Sequence, residues 1–173
     1  MRWTLKPKPK QETVSSLQQA LQVEPAIASL LVQRGIETFD QAKYFFRPSL
    51  SDLHDPYLMK DMDKAVQRIE QAISNSENIL VYGDYDVDGT TAVSLMSSYL
   101  LSDYPNVATY IPDRYDEGYG VSFKGIDFAS DNEFSLIIAL DCGIKAIDKV
   151  AYAKEKNIDF IICDHHRPGD KIP

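Results

Sequence analysis

Three short stretches hold the residues that could do chemistry. In ILVYGDYDVDGTT (residues 79–91), an apolar run leads into Asp84, Asp86 and Asp88 at alternate positions, then Gly89 and two threonines. In IIALDCG, Asp141 follows a second apolar run, and in FIICDHH a third ends in Asp164-His165-His166. In extended chain alternate side chains share a face, so the first three carboxylates are expected to converge. Ionised carboxylates that close repel unless a cation lies between them or one takes a proton. Oxygen donors with an imidazole suit Mn²⁺ or Mg²⁺, and the chemistry expected is metal-assisted hydrolysis. Two ions sharing a carboxylate such as Asp141 would acidify a common water and clamp a phosphoryl group for in-line attack.

Other readings of the first stretch fail on specific positions. Asp-x-Asp-x-Asp-Gly also opens an EF-hand calcium loop, but its twelfth position here is Leu95, where a bidentate Glu is needed, and a strand leads in. DVDGT (residues 86–90) resembles the first motif of haloacid-dehalogenase-type phosphatases. Gly83, Asp84 and Tyr85 separate Asp86 from the apolar run, and later strand ends lack that family's lone Ser/Thr or Lys. A phosphate-cradling P-loop would want Lys where this loop has carboxylates.

The elements that must position these residues follow from the change of period at residue 78. NILVYG, VATYIP, FSLIIAL and IDFIIC read as strands; TTAVSLMSSYLLS, VSFKGIDFAS and IKAIDKVAYAKEKN read as helices between them. Near-continuous apolar strands alternating with amphipathic helices predict an α/β fold, a parallel sheet with helices on both faces and right-handed crossovers. Ligands bind beyond the carboxyl ends of such strands, where all three clusters and the IPDRYDEGYG loop fall. In that loop Arg114 has two readings, a bidentate hold on a phosphate oxygen or an ion pair with Asp116 or Glu117. Tyr115 and Tyr119 either stack bases or pack, and packing is the plainer reading.

Upstream, residues 1–75 form a tail and helical segment, and residues 76–173 the catalytic core. Helical patterns cover 13–23, 25–34 and 38–46, with Thr38 as N-cap, and an amphipathic helix covers 61–75. Ile27, Leu30, Leu31, Phe39, Ala42 and Phe46 have the spacing of packed positions, and Trp3 in the Pro-Lys tail is expected to pack on the body. The intervening segment with Pro48, His54 and Pro56 reads as loop, and His54 as a surface or capping residue.

The net charge of −8 is unevenly distributed. Residues 1–75 carry ten Lys/Arg against nine Asp/Glu, and residues 76–173 eight against seventeen. Five of the acidic groups are the site candidates, and two divalent ions would offset four charges, so a phosphodiester substrate is compatible with the balance. A basic groove for a polyanion lies mostly elsewhere. At 44% hydrophobic residues, no run approaches a membrane span and no apolar signal core follows MRWTLKPKPK, which predicts a cytoplasmic protein with no membrane contact. Cys142 and Cys163 are expected to be reduced packing residues.

With GDYDVDGTT, ALDCG and CDHH in this order on successive strand ends, the chain resembles the DHH phosphoesterase superfamily. LLVQRGIETFDQAKYFF, LHDPYLMKDMDKAVQRI and IPDRYDEGYG extend the likeness to its RecJ branch, over nearly the whole chain. The resemblance implies a hydrolase that degrades single-stranded DNA from the 5′ end in recombination and repair, using Mn²⁺ or Mg²⁺, with recombination and repair proteins as further partners. It implies metal binding by Asp86 and Asp88, a bridging role for Asp141, and ligation by His165. His166 matches the residue that contacts the scissile phosphate, with Asp164 orienting an imidazole. Many superfamily members have a His where this chain has Tyr82, so Asp84 is expected to take that ligand role. The family's fourth aspartate motif and later domains do not fit in the seven residues after His166, which implies a fragment with little activity alone. An oligonucleotide or cyclic-dinucleotide phosphodiesterase or pyrophosphatase on the same core, and a non-catalytic scaffold module, are the alternatives.

Overall fold

The computed structural model describes residues 3–173, which divide into two compact units between Leu58 and Met59. The first holds α1 (Gln11–Leu21), α2 (Pro25–Val32) and α3 (Phe39–Phe46), followed by two 3-10 turns at Leu50–Asp52 and Pro56–Leu58. Pro25 occupies the first turn of α2, where its missing N–H costs nothing. Thr38 caps α3 as expected: its Oγ1 accepts the Gln41 N–H at 3.2 Å while Gln41 Oε1 accepts the Thr38 N–H at 3.1 Å.

Packing in this unit is narrower than the spacing suggested. Val14, Leu17, Ala28, Leu31 and Val32 form its core, and Ala42 is also buried. Ile27, Leu30, Phe39 and Phe46, expected to pack, are exposed. Helices of eight residues in so small a unit cover only one stripe each. Trp3 is 94% exposed and does not pack on the body; residues 3–10 form no regular element that would hold it there.

The second unit begins with α4 (Met62–Ser74), upstream of the boundary at 75/76 suggested by the change of period. Ala72 and Ile69 belong to the sheet's own core, so this helix goes with the strands. The strands are β1 (Asn78–Gly83), β2 (Val107–Tyr110), β3 (Phe134–Leu140) and β4 (Asp159–Cys163), all parallel, in the order β2-β1-β3-β4. Between them run α5 (Val87–Leu101), α6 (Phe123–Asp131) and α7 (Ile147–Glu155). The expected α/β fold is present, helices on both faces included.

The period of two divides the core. Ile79, Val81, Leu136, Ile138 and Leu140 face the α4 and α5 side with Val93 and Leu100. Leu80, Tyr82, Ile137 and Ala139 face the α6 and α7 side with Ile126, Ala129 and Ala153. Strands buried on both faces explain the continuous apolar runs. The crossover out of β1 runs outward to β2 and the crossover out of β3 runs outward to β4, in opposite directions. The β1/β3 crevice is a topological switch point, the place where open α/β sheets bind ligands.

Candidate metal centre

Strand register builds the site. Gly83 lies opposite Leu140, and Leu140 opposite Cys163. The next residue on each strand is an aspartate, so Asp84, Asp141 and Asp164 leave the sheet side by side from three adjacent strands about 4.8 Å apart.

Asp84 is fully buried. Its Oδ1 accepts the Tyr85 N–H at 2.7 Å, and its Oδ2 is buried without a hydrogen-bond partner. Burial pushes its carboxyl above the ordinary carboxylate range and the nearby charge of Asp86 adds to the rise; the Tyr85 N–H, the Tyr119 hydroxyl and the Gly120 N–H pull the other way without overcoming it. Two glycines make this burial possible. A Cβ on Gly89 would lie 2.6 Å from the Asp84 carbonyl oxygen, and one on Gly83 would lie 2.3 Å from Val93 Cγ2. Only at those positions without side chains can the start of α5 seat against the end of β1.

The structure corrects the placement of the other two aspartates in this stretch. Helix α5 starts at Val87, three residues before the TTAVSL pattern, so the chain after Asp84 is not a continuing extended segment. Asp86 is the N-cap, its Oδ1 accepting the N–H groups of Asp88 at 3.1 Å and Gly89 at 3.0 Å. Asp88 stands exposed in the first helical turn. Alternation along a strand therefore does not carry the three carboxylates to one point. A helix begins between them because Asp86 satisfies its free N–H groups.

The β3 and β4 ends are more tightly assembled. Asp141 is buried with φ +60°, a left-handed conformation rare outside glycine, and its N–H donates to the Cys163 carbonyl at 2.8 Å. Its Oδ1 lies 2.8 Å from His165 Nε2. Asp164 Oδ2 accepts the Ile144 N–H at 3.0 Å; its Oδ1 accepts the His166 N–H at 2.9 Å and meets His166 Nδ1 at 2.8 Å. Burial works to raise the Asp164 carboxyl, but these bonds outweigh it and leave the group below its ordinary value. His166 is in turn raised, chiefly by its bond to Asp164. Ligand atoms of Asp141, His165 and His166 lie within 4.8 Å of one another, a set that could hold a metal ion. The family resemblance assigned His166 to the phosphate, and the geometry also brings it into this cluster.

The loop between β2 and α6 closes over the β1 end. Tyr119, between Gly118 and Gly120 at φ +82° each, sets its hydroxyl 3.5 Å from His166 Nε2. Arg114 lies over the Tyr85 ring, 5.1 Å from its centroid. It pairs with neither carboxylate considered for it: Asp116 pairs with Lys124, while Glu117 is held by Tyr110, Asp113 and Ser122. Tyr115, for which packing was the plainer reading, is 96% exposed. Tyr82 is no ligand. Its buried hydroxyl donates to the Gly120 carbonyl at 3.0 Å and accepts the Ser122 N–H at 3.1 Å, anchoring this loop. Cys142 and Cys163 are both free; Cys142 is buried, as expected of a packing residue, whereas Cys163 at the end of the edge strand β4 is exposed and does not pack. Burial pushes the Cys142 thiol up to about 12.

A family model described as the DHH family, N-terminal domain, matches residues 78–173. The chain belongs to the DHH family. Over its whole length this DHH-family chain is 44% identical to the single-stranded-DNA-specific exonuclease RecJ of Bacillus subtilis strain 168, of which it spans 22%. It is 30% identical, again over its whole length, to that of Thermus thermophilus, of which it spans 25%. Among solved structures, exonuclease RecJ bound to manganese matches 66% of the chain at 31% identity with TM-score 0.62; the chain covers 30% of it. RecJ of Thermus thermophilus in complex with Mn²⁺ matches 99% at 26% identity with TM-score 0.70, and the chain covers 24% of it. The chain thus spans less than a third of each relative. The resemblance read from three strand-end motifs is the family the comparisons find.

Proposed function

We propose that the chain carries the metal-binding part of a DHH-family phosphodiesterase that removes nucleotides from the 5′ end of single-stranded DNA with Mn²⁺ or Mg²⁺. The observation that carries this reading is the row of three aspartates at the β1, β3 and β4 ends, one with a buried oxygen that has no partner. Such an oxygen is stable in a folded protein only with a proton or a cation beside it. The donors are carboxylate oxygens with imidazole nitrogen, the set that Mn²⁺ accepts. The residues present fit the group.

Asp84, Asp86, Asp141 and His165 would hold the ions, with Asp88 at the rim where α5 begins. When bound, two divalent ions acidify a water and spread the charge of a phosphoryl group under attack. The chain's own residues do the rest. Asp164 accepts the Nδ1 proton of His166, which fixes the ring and leaves Nε2 facing the site. The bond to Asp164 raises His166 above its ordinary value, and its Nε2 is the ring nitrogen that can meet a phosphate oxygen. Arg114, free of carboxylate partners and stacked on Tyr85, presents its guanidinium edge to a second one. Asp141, His166 and Asp164 are thereby the residues on which hydrolysis depends.

RecJ of Bacillus subtilis is described as specific for single-stranded DNA, and that substrate is proposed here on 44% identity. Cytoplasmic action beside recombination and repair proteins follows from such a substrate. Among the described residues no helix is long and apolar enough to cross a membrane. The test is digestion of single-stranded DNA labelled at either end, with Mn²⁺, by the polypeptide its gene encodes. Mononucleotide release from the 5′ end, lost in Asp141→Ala, is expected. Intact DNA with cleaved dinucleotides or pyrophosphate would move the substrate class and keep the metal site.

A further inference from the structure

Glu117 contacts none of the aspartates or histidines of the metal centre, yet more bonds of the β2–α6 loop meet on it than on any site residue. Its Oε1 accepts the Asp113 N–H at 2.8 Å. Its Oε2 accepts the Tyr110 hydroxyl at 2.9 Å and also the hydroxyl of Ser122, the N-cap of α6. One carboxylate thus ties the end of β2, the first residue of the turn and the start of α6. The turn itself closes on Asp113, whose Oδ1 accepts the N–H groups of Tyr115 at 2.8 Å and Asp116 at 2.9 Å, and whose carbonyl accepts the Glu117 N–H at 2.9 Å. Arg114 sits inside that turn. Tyr119 sits between the Glu117 clamp and the one made by the Tyr82 hydroxyl on Gly120 and Ser122.

We propose that Glu117 is a positioning residue, which holds the 113–122 loop so that Tyr119 stays against His166 Nε2 and Arg114 stays over Tyr85. The proposal rests on the phosphodiesterase reading of the site and adds a residue to it. Two nearby glycines at φ +82°, Gly118 and Gly120, leave the backbone around Tyr119 with little stiffness of its own. The order in this loop is therefore imposed by side-chain bonds that meet on Asp113, Glu117 and Tyr82. A group displaced by about 1 Å in a hydrolytic site forfeits on the order of a hundredfold in rate, so a residue that never touches substrate can control turnover.

The test has a structural and a kinetic arm. In nuclear magnetic resonance of the metal-free chain, Glu117→Ala is expected to abolish the nuclear Overhauser contacts between the Tyr119 and His166 rings and to speed exchange of the Asp113 amide. Core signals of Leu80 and Ile137 stay in place. Glu117→Gln is expected to retain both, because its amide oxygen accepts the Asp113 N–H and its amino group donates to the Tyr110 and Ser122 hydroxyls. In hydrolysis, Glu117→Ala is expected to lower kcat/KM by roughly ten- to a hundredfold with Mn²⁺ affinity unchanged, and to add nothing when Arg114 and Tyr119 are already alanine. Ring contacts that survive in Glu117→Ala, or losses that add fully in the combined variant, would overturn the proposal. If the wild type hydrolyses no phosphodiester, the reading of the site fails, and the resonance arm still decides the role of Glu117.

Discussion

The two sides of the proposed metal centre solve the same electrostatic problem in opposite ways. At the β3 and β4 ends each carboxylate has a partner: Asp141 faces His165, and Asp164 holds His166 and the Ile144 N–H. At the β1 end Asp84 is buried with one oxygen unsatisfied and Asp86 beside it. One side is assembled by its own hydrogen bonds; the other is held in place by a close strand-to-helix approach through Gly83 and Gly89. A carboxylate with an imidazole partner costs little when no ion is bound, whereas a buried unpartnered oxygen is unfavourable until a cation or proton offsets it. The difference implies that a cation stabilises the β1 side more than the β3/β4 side.

The largest expected effect breaks the β1 side by shape alone. Gly89→Ala puts a methyl group 2.6 Å from the Asp84 backbone and should cost about 3 kcal/mol, read by urea unfolding. Next, Asp164→Asn on the assembled side should lower kcat/KM for DNA by roughly ten- to a hundredfold, because the His166 ring loses its orientation toward the phosphate. An unchanged rate would remove His166 from the phosphate site.

Asp84→Asn should then stabilise the metal-free protein by about 1–2 kcal/mol while reducing the gain in melting temperature that Mn²⁺ gives. The sign of its pH dependence follows from the raised carboxyl. Stability from a proton held in the fold is complete below the ordinary value of 3.8 and is lost as pH rises through the higher folded value. The metal-free wild type should lose stability over that window more than Asp84→Asn does. Glu77, at the opposite end of β1, supplies a smaller effect of opposite sign. Ser135 foremost, then Arg68 and Asn75, bond to its carboxylate and lower it, and they outweigh burial. Its contribution is present above the ordinary value of 4.5 and lost as pH falls through the folded value, a loss that Glu77→Gln should abolish in acid unfolding curves.

What was legible in the sequence follows the same division. The placement of Asp141 and Asp164 at the β3 and β4 ends was legible because an apolar run followed by Asp is a local pattern, and adjacent strands do the rest. The order β2-β1-β3-β4, which brings Asp84, Asp141 and Asp164 into one row, depends on which strands pair and is not written in any one segment. At the β1 end the period-two reading of Asp84, Asp86 and Asp88 was overridden by Asp86 acting as an N-cap. Val87 and Asp88 are ordinary first-turn residues whose helical state depends on that bond. The loop clamps are not visible in sequence because the Tyr82 partners lie 38 to 40 residues away, and because the Glu117 partners sit on the end of β2, the turn and the start of α6, whose approach only the fold sets. Only the Glu-Gly-Tyr-Gly pattern hinted at a loop that needs external bracing.

Whether the β1, β3 and β4 ends form one divalent-cation site is decided by a Mn²⁺ titration followed by electron paramagnetic resonance. Saturable loss of the free-ion signal with wild type, abolished in Asp141→Ala and weakened in Asp84→Asn, is the predicted result. No saturable binding, or binding unaffected by Asp141→Ala, would contradict it.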